Sequence, residues 1–128
     1  MTRPMREIPR DEWVEFLDSF SRQHEGWLVT VEVLGAEIGA QVEAQELPLQ
    51  GITAELKGGD EDVISVILGG GSAERVTHNI KGPTHVRIEQ TKDGADMTLQ
   101  IESDDGVATL VRFRSAILPE MVDGIVSE

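Results

Sequence analysis

The chain has 128 residues, 39% of them hydrophobic, a formal net charge of −13 and no cysteine. That length and composition suit one domain with a core of its own, and the missing cysteine excludes disulfides, thiolate nucleophiles and Cys-ligated metal centres while suiting a reducing cytosol. The charge disfavours nucleic acid and anionic lipid as partners; it is concentrated in residues 23–74, where ten acidic side chains face one basic one, Lys57. This is an ordinary solubilising surface or, more sharply read, a face for a basic protein partner. The first ten residues hold no apolar run, so no secretory leader is expected, and no segment approaches the ~18 consecutive apolar residues that span a membrane.

A helix is predicted over 9–24. Pro9 suits a first helical position, and Asp11 and Glu12 favour the positive end of the helix dipole. Trp13, Phe16, Leu17 and Phe20 recur on one face, Asp18 and Arg22 are spaced to pair on the other, and Gly26 offers a left-handed stop. His24, in the last turn, is explained as a contact with the negative helix end.

After Gly26 the apolar period changes to two, as in Trp27, Val29, Val31 and Val33. Strands are predicted over 27–34, 38–46, 51–56, 63–68, 75–80, 84–91, 96–103 and 107–115. The run Val63–Leu68 is apolar on both faces and reads as a central strand. The fold class is therefore mainly β (α+β), a single domain over 1–128: one N-terminal amphipathic helix, then about eight antiparallel strands in a meander, in a barrel-like or strongly bent sheet. The C-terminal tail, around Leu118–Ile125, is expected to add one helical turn.

Because cross-strand partners share a face, the apolar phase fixes each turn. Ile88 opposite Leu99 and Val86 opposite Ile101 require a two-residue Asp93-Gly94 turn. Leu99 opposite Val111 and Met97 opposite Phe113 require a three-residue loop, Asp104-Asp105-Gly106, with Gly106 left-handed. Val31 opposite Ala40 would follow from a two-residue Gly35-Ala36 turn. Lys81-Gly82-Pro83 is expected to close a hairpin with His78 across from Val86. Gly69-Gly70-Gly71-Ser72 is read as a loop.

Three stretches, Ser19-Phe20-Ser21-Arg22-Gln23-His24-Glu25-Gly26-Trp27, Leu47-Pro48-Leu49-Gln50-Gly51-Ile52, and Arg112-Phe113-Arg114-Ser115 with Leu118-Pro119-Glu120, carry a resemblance that spans nearly the whole chain. In them the chain resembles a family of small bacterial proteins known only as a domain of unknown function. The resemblance implies a stand-alone domain in a bacterial cytoplasm and brings no activity, cofactor or site.

Recognisable chemistry is sparse. No phosphate-binding G-x-x-x-x-G-K-[ST] loop or nucleophile elbow occurs, so no catalytic residue and no cofactor is assigned. His78 and His85 fall on opposite faces and cannot share a metal, and Asp60-Glu61-Asp62 lacks calcium-loop spacing, so it reads as a solvated loop and no metal site is expected. His78, in the inward phase, is most simply a hydrogen-bonded core residue. The best-organised polar pattern is the outward face of the last three strands: His85, Arg87, Glu89, Arg112 and Arg114. It reads as a wet face stitched by ion pairs or, functionally, as an arginine patch for a carboxylate.

Three functions are open at this stage. The first is a non-catalytic interaction or adaptor protein, homo-oligomeric or with a protein partner, using outward apolar residues such as Leu28, Val63, Ile67 and Leu110. The second is a small-ligand carrier whose pocket is lined by Trp13, Phe16, Trp27, His78 and Phe113. An enzyme ranks last, because no nucleophile–base pair is visible. A structure inspected for oligomer contacts and cavities discriminates among them.

Overall fold

The computed structural model describes residues 5–35, 39–58, 61–70, 73–90 and 96–114. In chain order these form β1 (Met5–Ile8), a 3-10 turn (Arg10–Glu12), α1 (Trp13–Gln23), β2 (Leu28–Gly35), β3 (Gly39–Glu55), β4 (Val63–Gly70), β5 (Ala73–Lys81), β6 (Pro83–Gln90), β7 (Asp96–Ser103) and β8 (Ala108–Arg114). The strands make one antiparallel sheet in the order β1-β6-β7-β8-β2-β3-β4-β5.

The helix begins as a tight turn. Pro9 is extended and its carbonyl accepts the Glu12 N–H at 2.9 Å, so regular α-helix starts only at Trp13. The apolar stripe then buries Trp13, Leu17 and Phe20, and Gly26 leaves the helix at φ +87°. Trp13 stays buried without an orphaned donor because its indole N–H reaches the Ile8 carbonyl at 2.8 Å.

Strand β3 is the pivot of the sheet. Its first part, to Pro48, pairs with β2, and its second, from Leu49, pairs with β4. The two strands expected over 38–46 and 51–56 are therefore one bent strand. The bend shows as Glu46 at φ +54° and as register shifts on either side. Pro48 stands where the partner changes, so its missing N–H leaves little of the ladder unmade.

About this bend the two halves of the sheet close on each other. Val29, Val31, Val86, Leu99, Ile101, Val111 and Phe113 on one side share a core with Ile52, Ile64, Val66, Leu68 and Ile80 on the other. The sheet is strongly bent and remains open, with β1 and β5 as its edges. Strand β4, expected at the centre from its two apolar faces, is interior but lies next to the edge, between β3 and β5.

The registers of the last two hairpins match the sequence reading. Ile88 pairs with Leu99, Val86 with Ile101, Leu99 with Val111 and Met97 with Phe113. Gly106 closes the three-residue loop at φ +85°, with its N–H on the Ser103 carbonyl.

Three expectations are corrected. Val31 pairs with Ala44, not Ala40, because the β2–β3 hairpin closes at Gly35↔Gly39 and a bulge follows. The hairpin tip projects past the core, so Val42 stays 56% exposed and the apolar phase there does not set the register. Lys81-Gly82-Pro83 is not a hairpin turn: β6 already has β1 and β7 on its two sides, and Gly82 alone carries the chain from one half of the sheet to the other. Strand β1 was absent from the sequence reading; it has four residues, of which only Ile8 is buried. The predicted Asp93-Gly94 turn, Gly71-Ser72 and the tail around Leu118–Ile125 lie outside the described residues.

Candidate functional site

Two surfaces gather polar groups in an organised way. The first is the outer face of β1, β6, β7, β8 and β2. There the backbone registers line up Glu7, Arg87, Gln100, Leu110 and Glu32 in one row, and Met5, Glu89, Thr98, Arg112 and Thr30 in the next. His85 donates from Nδ1 to Glu7 Oε2 at 2.7 Å, Arg87 reaches Glu7 and Glu102 at 3.2 Å each, and Arg112 reaches Glu32 at 3.0 Å. The hydrogen bond from His85, with the Arg87 charge behind it, holds the Glu7 carboxyl below the ordinary carboxylate range. So His85, Arg87, Glu89 and Arg112 do share a face, but the chain's own carboxylates already occupy Arg87 and Arg112. Arg114 is placed opposite Asp96 and Leu28 by backbone register; its side chain lies outside the described residues. Leu28, Val63, Ile67 and Leu110 are half-buried.

The second is a cleft at the open end of the core, between α1 and strands β1, β6 and β7. Arg6, Phe16, Phe20, Gln23, His24, Ile88 and Met97 line a volume of about 390 Å³. Helical spacing builds one wall: Phe16, Phe20 and His24 follow each other at four-residue steps, with ring centroids 5.5 and then 4.1 Å apart. Strand alternation builds the opposite wall. Arg6 is paired with Ile88 and shares its side of the sheet, and its guanidinium lies over Phe16 at 5.7 Å from the ring centre.

His24 is the unusual member. It is 6% exposed and packs against Phe20, Trp27 (4.5 Å) and Phe113 (5.8 Å). Its Nδ1 lies 2.7 Å from the Phe20 carbonyl. A carbonyl only accepts, so Nδ1 carries the proton and a neutral ring has Nε2 as an acceptor. Among the described residues no sealed side-chain nitrogen or oxygen lacks a partner, and His24 is one of the residues that line the cleft.

A model for a family of unknown function, DUF5335, matches residues 4–121. The chain belongs to that family. An uncharacterized protein of Aquifex aeolicus (strain VF5) is 31% identical over 114 residues, covering 88% of this chain and 96% of the other. No solved structure matches. The region of this DUF5335 chain that the family model covers includes every residue of the cleft and of the outer face.

The five residues expected to line one pocket are dispersed in this family member. Phe16 lines the aromatic cleft, and Trp27 and Phe113 back it through His24. Trp13 faces a smaller cleft of about 290 Å³ with Arg10, Asp62 and Asp104. His78 faces a third, about 240 Å³, with Val33, Lys81, Asp105 and Thr109. It is half-buried, and burial pulls its imidazole below the ordinary value.

The acidic turn is also corrected. Asp62 is 1% exposed, ion-paired with Arg10 and hydrogen-bonded at 2.7 Å by the Gly58 N–H, so it ties the helix entry to the β3–β4 loop. Asp60 lies outside the described residues. Among the described residues no helix is long and apolar enough to cross a membrane.

The expected contact of His24 with the C-terminal end of the helix is present as its bond to the Phe20 carbonyl, but its place on the cleft was missed, and so was Arg6. His24 continues the Phe16–Phe20 stripe by one more four-residue step, a signal present in the sequence. Arg6 had none, since it depends on a strand too short to show a period.

Proposed function

We propose that the protein is a non-catalytic binding protein of the bacterial cytoplasm that holds a small molecule with an apolar body in the cleft between α1 and strands β1, β6 and β7. The observation that carries this reading is His24. An imidazole packed among three aromatic rings, with one nitrogen committed to the backbone, offers its other nitrogen as an acceptor in a cleft lined mostly by apolar side chains. A few fixed polar groups on an apolar surface are what orient a small ligand. Size supports the same choice: about 390 Å³ lies within the usual ~300–1,000 Å³ of ligand pockets, and the two smaller clefts at Trp13 and His78 fall below it.

Titration of the isotope-labelled protein with indole tests this. Indole has an N–H to give to Nε2 and a flat apolar body. It should shift the methyl signals of Ile88 and Met97, and Ile88→Trp, which fills the cleft, should abolish the shifts. Shifts confined to other residues, or none at all, would overturn the reading.

A second reading, a protein partner or a second copy of this chain, is favoured by one observation: β5 leaves a nine-residue strand as an open sheet edge. Sedimentation at the highest soluble concentration tests self-pairing, and a monomer there overturns it.

A further inference from the structure

We propose that the ligand of the aromatic cleft is a small organic carboxylate, bound head-first at Arg6 with its apolar body on Phe16, Phe20, Ile88 and Met97. This deepens the binding reading above and rests on it.

Among the described residues Arg10, Arg22 and Arg112 each hold one of the chain's own carboxylates and Arg87 holds two, Arg10 while also lying over the Trp13 ring. The exposed Arg75 and Arg6 hold no carboxylate of a described residue, and of these two it is Arg6 that lies over an aromatic ring and lines the cleft. Stacking uses the flat side of the guanidinium and leaves the N–H donors around its edge, where a planar fork takes two carboxylate oxygens at once.

The cleft's charge is also distinct from that of the whole molecule. A chain of net charge −13 would favour cations at an average surface position. Among the described residues lining this cleft there is no Asp or Glu, and the one fixed charge is Arg6. Its other polar groups are the Gln23 amide, able to donate to a carboxylate oxygen, and His24, able to accept at Nε2. A single positive charge suits a monoanion. The His24 acceptor suits a ligand whose body carries an N–H or O–H donor, so the fitting class is an aryl or heteroaryl carboxylate with such a donor.

The test uses three probes that share one body and differ in the head: indole-3-acetate, indole-3-ethanol and indole-3-ethylamine. Each is titrated into the full-length protein while the methyl signals of Ile88 and Met97 are followed. The acetate should bind about tenfold more tightly than the alcohol, the scale of one charge-assisted contact, and the amine more weakly than either. In the Arg6→Gln variant the difference between the acetate and the alcohol should disappear. Arg6 is exposed, and an unaltered backbone spectrum of that variant confirms that it folds. Equal binding of all three probes, or an acetate affinity indifferent to Arg6→Gln, would overturn the carboxylate assignment and leave the cleft reading standing. If no probe moves Ile88 or Met97, both fall.

Discussion

The hydroxyl of Ser21 on α1 takes the place of a neighbouring strand for Ile52 on β3: it accepts the Ile52 N–H at 2.8 Å and lies 3.0 Å from the Ile52 carbonyl. Beyond Pro48, strand β3 has left β2, so this edge of its backbone would otherwise be unpaired. The chain fills it in sequence. Gly26 and Trp27 bond Leu49 on both its N–H and its C=O, and Ser21 then serves Ile52. The same contacts fix the height of α1 on the sheet, and therefore where Phe16, Phe20 and His24 stand.

Ser21→Ala should consequently cost more than an exposed serine usually does. Stranding the Ile52 N–H predicts a loss of about 1–3 kcal/mol in urea unfolding. Amide exchange at Ile52 should accelerate beyond that of its neighbours Thr53 and Ala54.

Leu99 is fully buried between Ile88 on β6 and Val111 on β8, at the centre of the core. Leu99→Ala should destabilise by about 2–5 kcal/mol, the spread depending on how far the surrounding side chains relax. Gln100→Ala, one residue on and facing outward, should change little. Equal losses would mean that the faces are wrongly assigned.

These two positions show what was legible in the sequence and why. Strands β6, β7 and β8 have one face in the core along their full length, so the apolar phase and the Gly106 turn were enough to set both registers. The β2–β3 hairpin was misread because its tip, with Val42, extends past the core and its phase is not enforced. The stretch 47–50 looked like a break between two strands, whereas it is where one strand changes partners. The cleft was half legible: Phe16 and Phe20 follow from helical period, and Arg6 could be placed only through the pairing of β1 with β6, a long-range contact with no local signature.

Gly82 takes φ +64°, and a Cβ there would meet Asp104 Oδ2 at 2.8 Å. Its backbone also bridges the halves of the sheet, with its N–H on the Asp62 carbonyl and its C=O accepting from Asp104, both at 2.9 Å. Gly82→Ala should therefore lower stability by about 1–3 kcal/mol through strain and the close contact. Gly58→Ala, also at positive φ but with open space around it, should be milder. Thermal unfolding of the two variants compares them directly.

Acid should weaken the fold in two stages. Burial holds His78 below its ordinary 6.5, and the Arg10 hydrogen bond holds Asp62 below its ordinary 3.8. In both cases the unfolded chain takes up the proton first, so stability rises with pH across each window. The His78 contribution is complete above 6.5 and is lost as pH falls through its lower folded value; the Asp62 contribution is complete above 3.8 and is lost below that. Urea midpoints measured from about pH 8 to about pH 3 should fall in these two steps. His78→Gln should remove the first step, and Asp62→Asn should shrink the second, to which Glu7, also held below its ordinary value, contributes.

The account rests most heavily on the His24 ring. Long-range nitrogen NMR of the labelled neutral imidazole reads both nitrogens at once: the proton should sit on Nδ1, where the Phe20 carbonyl accepts it, and the Nε2 signal should move when indole-3-ethanol is added. A proton on Nε2 instead, or an Nε2 signal that stays still at saturating probe, would contradict it.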